Sequence, residues 1–246
     1  HTLAMGLANS ETGVITQPPA QQDGQYPYGT ARADWLCLDI TQAVGRIPFS
    51  FAWSGADMAL ISSHKIGGPK GIGALVLKRG IDVAAQIKGG GQEMGRRSGT
   101  ENIPGIAGFG AAAEAAVADV AAGRWEEVAE RRDLLEATLA DASSLTIFVG
   151  KDVPRLPNTS CIITPGWKGE TQVMQMDLAG FAISAGSACS SGKVRASAVL
   201  RAMGFDETQA ASAIRVSLGL NTTREDVLRF ASSWTAKMKK HETRAA

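Results

Sequence analysis

Four short apolar stretches, TLAMGLA, WLCLD, ADMALI and GALVL, occupy the first third of the chain, separated by segments dense in turn formers such as ITQPPAQQDGQYPYG. Runs this short and this rich in apolar residues cannot each bury a helix face. They are expected to be strands, near residues 2–8, 35–39, 57–61 and 73–77. From about Gly105 the pattern changes to GIAGFGAAAEAAVADVAAGRWEEVAERRDLLEATLADASS, rich in Ala, Glu and Leu at helical spacing. One or two helices are expected there, with Gly123 as the interruption. A strand-like NTSCIITP, a helix-like GETQVMQMDLAG, a helix over ASAVLRAMG, the alternating strand AIRVSLGL and a terminal helix opened by TTREDVLRFASSW follow. Thr222 or Thr223 with Glu225 or Asp226 has the spacing of a capping box. The final KMKKHETRAA reads as a solvated end. Strands alternating with helices define an α/β chain.

Composition narrows the function. The 246 residues are 44% hydrophobic, enough for one large or two modest domains. With 25 basic and 24 acidic side chains the net charge is +1, so no global field draws the chain to nucleic acid or to an anionic membrane surface. Cys37, Cys161 and Cys189 are far apart and form no CxxC pair; neither a disulfide framework nor a metal site is expected, and a reducing cytoplasm fits best. No apolar run is expected to approach the roughly 18 residues of a membrane span, and HTLAMGLANSETG lacks the zones of a signal peptide. That opening is already strand-like and has no initiator methionine, so it reads as the middle of a domain.

The chemistry begins at SSHKIGGPKGIGALVL, residues 62–77, where Lys65 follows a buried strand directly. Most lysines beside a turn are simply solvated. Here ADMALIS should run to the carboxyl edge of a sheet, where open α/β folds place their ligands. Ser62, Ser63, His64 and backbone amides in such a loop suit a phosphate, and a lysine desolvated at that edge can form a Schiff base. A phosphorylated aldehyde satisfies both. A P-loop is excluded, because GGPKGIG does not supply GxxxxGK[ST]. Upstream, Asp39 ends an apolar run in WLCLDITQAVG. It is either a helix N-cap or, at a strand end, a carboxylate able to pair with a pyridinium nitrogen, with Gln42 in reach of the ring hydroxyl. In SAGSACSSGKV, Cys189 stands between Gly186 and Gly192 with Lys193 and Arg195 close by, a setting that favours an accessible thiolate. Cys37 and Cys161 lie within apolar runs and read as small buried hydrophobes. In AIRVSLGL, Ile214, Val216 and Leu218 share one face and leave Arg215 and Ser217 on the other, ordinarily a wetted sheet face.

The motifs ANSETGV, LDITQAVGRIP, SSHKIGGPKGIGAL, GGGQEMGRRSGTEN, SAGSACSSG and AIRVSLG resemble, in order and spacing, those of cysteine desulfurases of the NifS and IscS type, over essentially the whole chain. The resemblance implies a pyridoxal phosphate-dependent transferase of fold type I: a mixed, mostly parallel sheet with flanking helices, plus a smaller C-terminal α+β domain. The expected division is residues 1–116 for the C-terminal part of the large cofactor-binding domain and 117–246 for the small domain with the cysteine loop. It further implies that Lys65 holds pyridoxal 5'-phosphate as a Schiff base, Asp39 the pyridinium nitrogen, Gln42 the ring hydroxyl, and Ser62 and His64 the phosphate. Thr100 would reach the phosphate bound in the partner subunit of a homodimer, and Arg215 would hold the substrate α-carboxylate. Cys189 would take sulfur from L-cysteine as a persulfide, leaving L-alanine, and pass it to an iron–sulfur scaffold or another sulfur-acceptor protein.

Two departures from the family stand out. Members usually have two asparagines before the glutamate of the first motif, the second touching the ring; here Asn9 is followed by Ser10, which reaches less far. Members also carry a long N-terminal portion, with a phosphate loop and a histidine that stacks on the ring. Without it, these 246 residues are expected not to hold the cofactor with normal affinity. A selenocysteine lyase or sulfinate desulfinase would share the lysine, aspartate and arginine. A catalytically silent scaffold or sulfur carrier would bind no cofactor, and an aminotransferase would not need Cys189.

Overall fold

The structure is a computed structural model and describes residues 1–186 and 196–245. The chain divides into two compact units. One comprises His1–Ala8 and Thr16–Ala122, the other Asn9–Ile15 and Gly123–Ala246.

In the first unit β1 (Thr2–Gly6), β4 (Trp35–Asp39), β5 (Met58–Ser62) and β6 (Gly73–Leu77) form a sheet in the order β1-β4-β5-β6. The first three strands are parallel and β6 is antiparallel to β5, so the sheet is mixed and mostly parallel. A small hairpin of β2 (Tyr26–Tyr28) and β3 (Ala31–Ala33) stands apart from it. The pleat sorts the side chains: Leu36, Leu38 and Ala59 are fully buried on one face. The registers Cys37↔Met58, Asp39↔Leu60 and Leu60↔Leu75 put Trp35, Leu60 and Leu75 on the other, where each remains more than 40% exposed. Each leucine sealed on the buried face contributes about 1.5–3 kcal/mol.

Helix α1 (Ile103–Ala121) closes this unit. Asn102 caps it, its side-chain oxygen accepting from the Gly105 N–H at 3.1 Å, and Pro104 sits in the first turn. Gly108 lets the helix approach Pro69, since a Cβ there would lie 2.6 Å from Pro69 Cγ. At 19 residues and a mean hydropathy of 1.3, α1 does meet the length and composition of a membrane span, which corrects the expectation that no segment does. Glu114 and Asp119 within it would each cost about 2.5–3.5 kcal/mol at a bilayer centre.

The second unit holds an antiparallel sheet in the order β7-β8-β10-β9, built from β7 (Ile147–Phe148), β8 (Thr159–Ile163), β9 (Ser184–Ala185) and β10 (Ala213–Ser217). All five residues of β8 are buried. Helices α2 (Arg124–Ala142), α3 (Gly169–Asp177), α4 (Ala198–Ala202), α5 (Glu207–Ala211) and α6 (Arg224–Ala245) complete it. Leu135, Leu139, Ile162, Ile214, Phe230, Trp234 and Met238 pack into one core. Trp167 and Trp234 lie 5.4 Å apart within it. Gln172 threads the core with its polar needs met: Nε2 donates to the Trp167 and Ser212 carbonyls, and Oε1 accepts from Trp234 Nε1. The terminal KMKKHETRAA stretch is helical to Ala245 and is more than a solvated end, because His241 stacks on Trp167 at 5.7 Å.

Candidate functional site

The parallel strands β4 and β5 end side by side. Asp39 closes β4 opposite Gly6 of β1 and Leu60 of β5, and Ser62 closes β5 two residues further on. A short 3-10 turn, Ser63–Ile66, continues from Ser62 and carries His64 and Lys65. Gly67 ends that turn at φ 90°, a left-handed conformation that a glycine adopts without strain. The return strand needs Gly73, since a Cβ there would stand 2.7 Å from the Ile61 carbonyl oxygen. Sequence and backbone together thus place Asp39, Ser62, His64 and Lys65 at the carboxyl edge of one sheet.

The groups at this edge are oriented. Asp39 Oδ1 accepts the Thr41 N–H at 2.9 Å, which fixes the carboxylate. No helix starts at Asp39; residues 41–46 form turns, so of the two roles open to it the helix cap falls away. Ser62 Oγ and His64 Nδ1 are 2.8 Å apart. Ser63 is buried and its Oγ has no partner. Lys65 and Gln42 are half-buried, while Thr100 is exposed on the segment before α1. Two hydroxyls, an imidazole, an amine and an ordered carboxylate are the donor set that a phosphorylated pyridine aldehyde requires, and these residues fit such a group. Sequence reasoning passed over Arg46, whose guanidinium donates to the main-chain carbonyls of both Gln42 and Lys65. A basic residue four places after Gln42 was the available signal.

In the second unit Arg215 lies in β10, opposite Cys161 of β8 and Ser184 of β9. Its Nη1 donates to the Ser10 carbonyl at 2.6 Å and its Nη2 to Ser184 Oγ at 3.3 Å. Nε is buried without a partner. The segment that supplies Ser10 is itself braced. Asn9 Oδ1 accepts from the Glu11 and Thr12 N–H groups at 2.9 and 3.0 Å, and Glu11 Oε2 accepts from Ser197 Oγ at 2.5 Å. Sequence reasoning gave no role to Asn9 or Glu11, although Asn-x-x-Thr is the spacing of such a side-chain-capped turn. Burial pushes the Cys161 thiol up to about 12, with the Glu11 carboxylate adding to the effect. Burial, then the Asp39 charge, also raises the Cys37 thiol. Neither is poised as a nucleophile. Cys189, Lys193 and Arg195 lie outside the described residues.

Residues 3–230 match the aminotransferase class-V family. The chain belongs to that family. Among curated proteins it is 40% identical over 92% of its length to a cysteine desulfurase of Enterobacter agglomerans, covering 55% of that protein. It is 42% identical over 95% of its length to a cysteine desulfurase of Sinorhizobium fredii, covering 59% of it. The chain therefore spans little more than half the length of these relatives. Among solved structures, a NifS-like protein from Rickettsia africae superposes with a TM-score of 0.81 at 29% identity, over 97% of this chain and 62% of that one. The architecture is that of the fold type I transferases, with the mixed, mostly parallel sheet in the first unit.

Proposed function

We propose that this chain is part of a pyridoxal phosphate-dependent cysteine desulfurase, which converts L-cysteine to L-alanine and retains the sulfur as a persulfide on Cys189. The observation that carries it is the placement of Asp39, Ser62, His64 and Lys65 at one carboxyl sheet edge. The cysteine desulfurases at about 40% identity support the same reading.

When bound, pyridoxal phosphate supplies an electron sink for charge developing at the substrate Cα. The protein's residues divide the remaining work. Ser62 and His64 would donate to its phosphate, Asp39 would keep its ring nitrogen protonated, and Gln42 would contact its ring hydroxyl. Lys65 would anchor the cofactor through its amine, and the same amine would be the base for the substrate Cα proton. Arg215 would take the substrate carboxylate with its guanidinium fork. The Cys189 thiolate attacks the substrate sulfur, so a carbon–sulfur bond breaks as a sulfur–sulfur bond forms, and the three-carbon fragment is protonated to alanine. Thr100 is assigned to the phosphate of the partner subunit in a homodimer, and a sulfur-acceptor protein such as an iron–sulfur scaffold receives the sulfur. A cytoplasmic location suits thiol chemistry that must stay reduced.

The test is mass spectrometry of the full-length protein after exposure to L-cysteine. One added sulfur on the Cys189 peptide, with one alanine released per turnover, is expected, and Lys65→Ala should abolish both. Turnover that persists in Cys189→Ala would instead identify an enzyme that needs no persulfide.

A further inference from the structure

Arg46 is half-buried, yet among the described residues no carboxylate lies within ion-pair distance of it. Its donors go to main-chain carbonyls: Nη1 to Gln42 at 2.8 Å and Nη2 to Lys65 at 2.9 Å. Burial alone lowers its proton affinity, which agrees with the absence of an acidic neighbour. A guanidinium drawn even partly out of water without a counter-charge is costly, and hydrogen bonds of good geometry offset that cost. The two carbonyls are therefore what the site is built around. They belong to segments far apart in sequence, one carrying Gln42 and the other Lys65.

A second contact brings the same two segments together. Gly45 has φ 76°, and a Cβ there would sit 2.9 Å from Ala116 Cβ and 3.2 Å from Ile66 Cγ2. The absent side chain lets the loop press against Ile66, the neighbour of Lys65, while the next residue hooks the Lys65 carbonyl. Lys65 lies in a turn of only four residues, so a change in its backbone orientation shifts the point from which its side chain extends.

We infer that Arg46 is a positioning residue for the cofactor lysine: with Gly45 it locks the Gln42 loop to the Lys65 turn and so fixes where the Lys65 amine stands. This rests on the function proposed above. A planar guanidinium can span two carbonyls with two nitrogens held in one rigid fork; a lysine ammonium keeps the charge but not the fork. Displacement of a reacting group by a fraction of an ångström is enough to slow a step by about tenfold or more.

The experiment uses the full-length protein loaded with pyridoxal phosphate, as wild type, Arg46→Lys and Arg46→Met. Three quantities are read: the pyridoxal phosphate dissociation constant by fluorescence titration, the pH midpoint of the bound cofactor's visible band, and kcat and KM for L-cysteine. Arg46→Lys should weaken cofactor binding and lower kcat, each by about tenfold, shift the pH midpoint, and leave KM within about twofold. Added guanidinium should restore part of the loss in Arg46→Met. If Arg46→Met does not fold, Arg46→Lys decides. A folded Arg46→Lys with a lower Tm but unchanged affinity, midpoint and kcat would overturn the inference and leave Arg46 a packing residue. The wild type separates this failure from that of the proposed function. Borohydride should fix the cofactor on the Lys65 peptide; if it does not, both the function and the inference fall.

Discussion

Cys161 and Cys37 differ from an ordinary surface thiol because of where their strands place them. Cys161 sits in β8 with both neighbours buried, and its thiol is held neutral up to about pH 12. Alkylation by iodoacetamide near neutral pH should therefore leave Cys161 unmodified in the native protein and modify it only after denaturation, as read by peptide mass spectrometry. Tyr26 follows the same logic in the first unit. Its hydroxyl donates to the Gly55 carbonyl at 2.6 Å, and burial, aided by the Asp57 charge, pushes it up to about 12. In the unfolded chain a tyrosine ionises near pH 10. The folded state thus holds a proton that the unfolded state releases, so this contribution is complete below about pH 10 and is lost as pH climbs from there to about 12. Phenolate absorbance should show a step near pH 12 that disappears in Tyr26→Phe.

The ends of the elements carry much of their specification. Thr223 and Asp226 form a reciprocal cap on α6: the Asp226 N–H donates to Thr223 Oγ1 at 3.1 Å, and Asp226 Oδ2 accepts the Thr223 N–H at 3.0 Å. Thr223→Ala should cost about 1 kcal/mol in urea unfolding, with Thr223→Ser close to neutral. This box was readable from spacing, as were strands β4, β5 and β6 and the break at Gly123 between α1 and α2, because each rests on local chemistry. The second capping box, Asp206 with Gln209 on α5, was equally local in kind but stood beside a weaker apolar pattern. The positions of Asp39, Ser62 and Lys65 at a strand edge were legible for the same reason. What Arg46 and Glu11 do was not, because the Lys65 carbonyl and the Ser197 hydroxyl that meet them are brought there by the folded backbone. The parallel register that aligns Asp39 with Leu60 is likewise a tertiary outcome.

At the scale of the molecule, each unit has its own sheet, and the two differ in how well their faces are covered. The second unit encloses an aromatic and aliphatic core with a bidentate pair at its side: Arg155 Nη1 and Nη2 donate to Glu136 Oε1 and Oε2 at 2.8 and 2.9 Å, and Ser160 Oγ adds a third bond. In the first unit, parallel sheets normally being covered on both faces, the side bearing Trp35, Leu60 and Leu75 stands open among the described residues. A chain of these 246 residues should bind an anilinonaphthalene dye, and Leu75→Lys should reduce that fluorescence while leaving the far-UV dichroism unchanged. The tryptophans are divided along the same line. Trp167 and Trp234 are fully buried in the second unit and Trp125 is half-buried there, whereas Trp35 is 44% and Trp53 90% exposed in the first. The chain thereby carries two optical reporters: a shielded, blue-emitting set in the second unit, with Trp125 between the extremes, and a red-emitting pair in the first that iodide can quench, so that the melting of each unit shifts a different part of the emission.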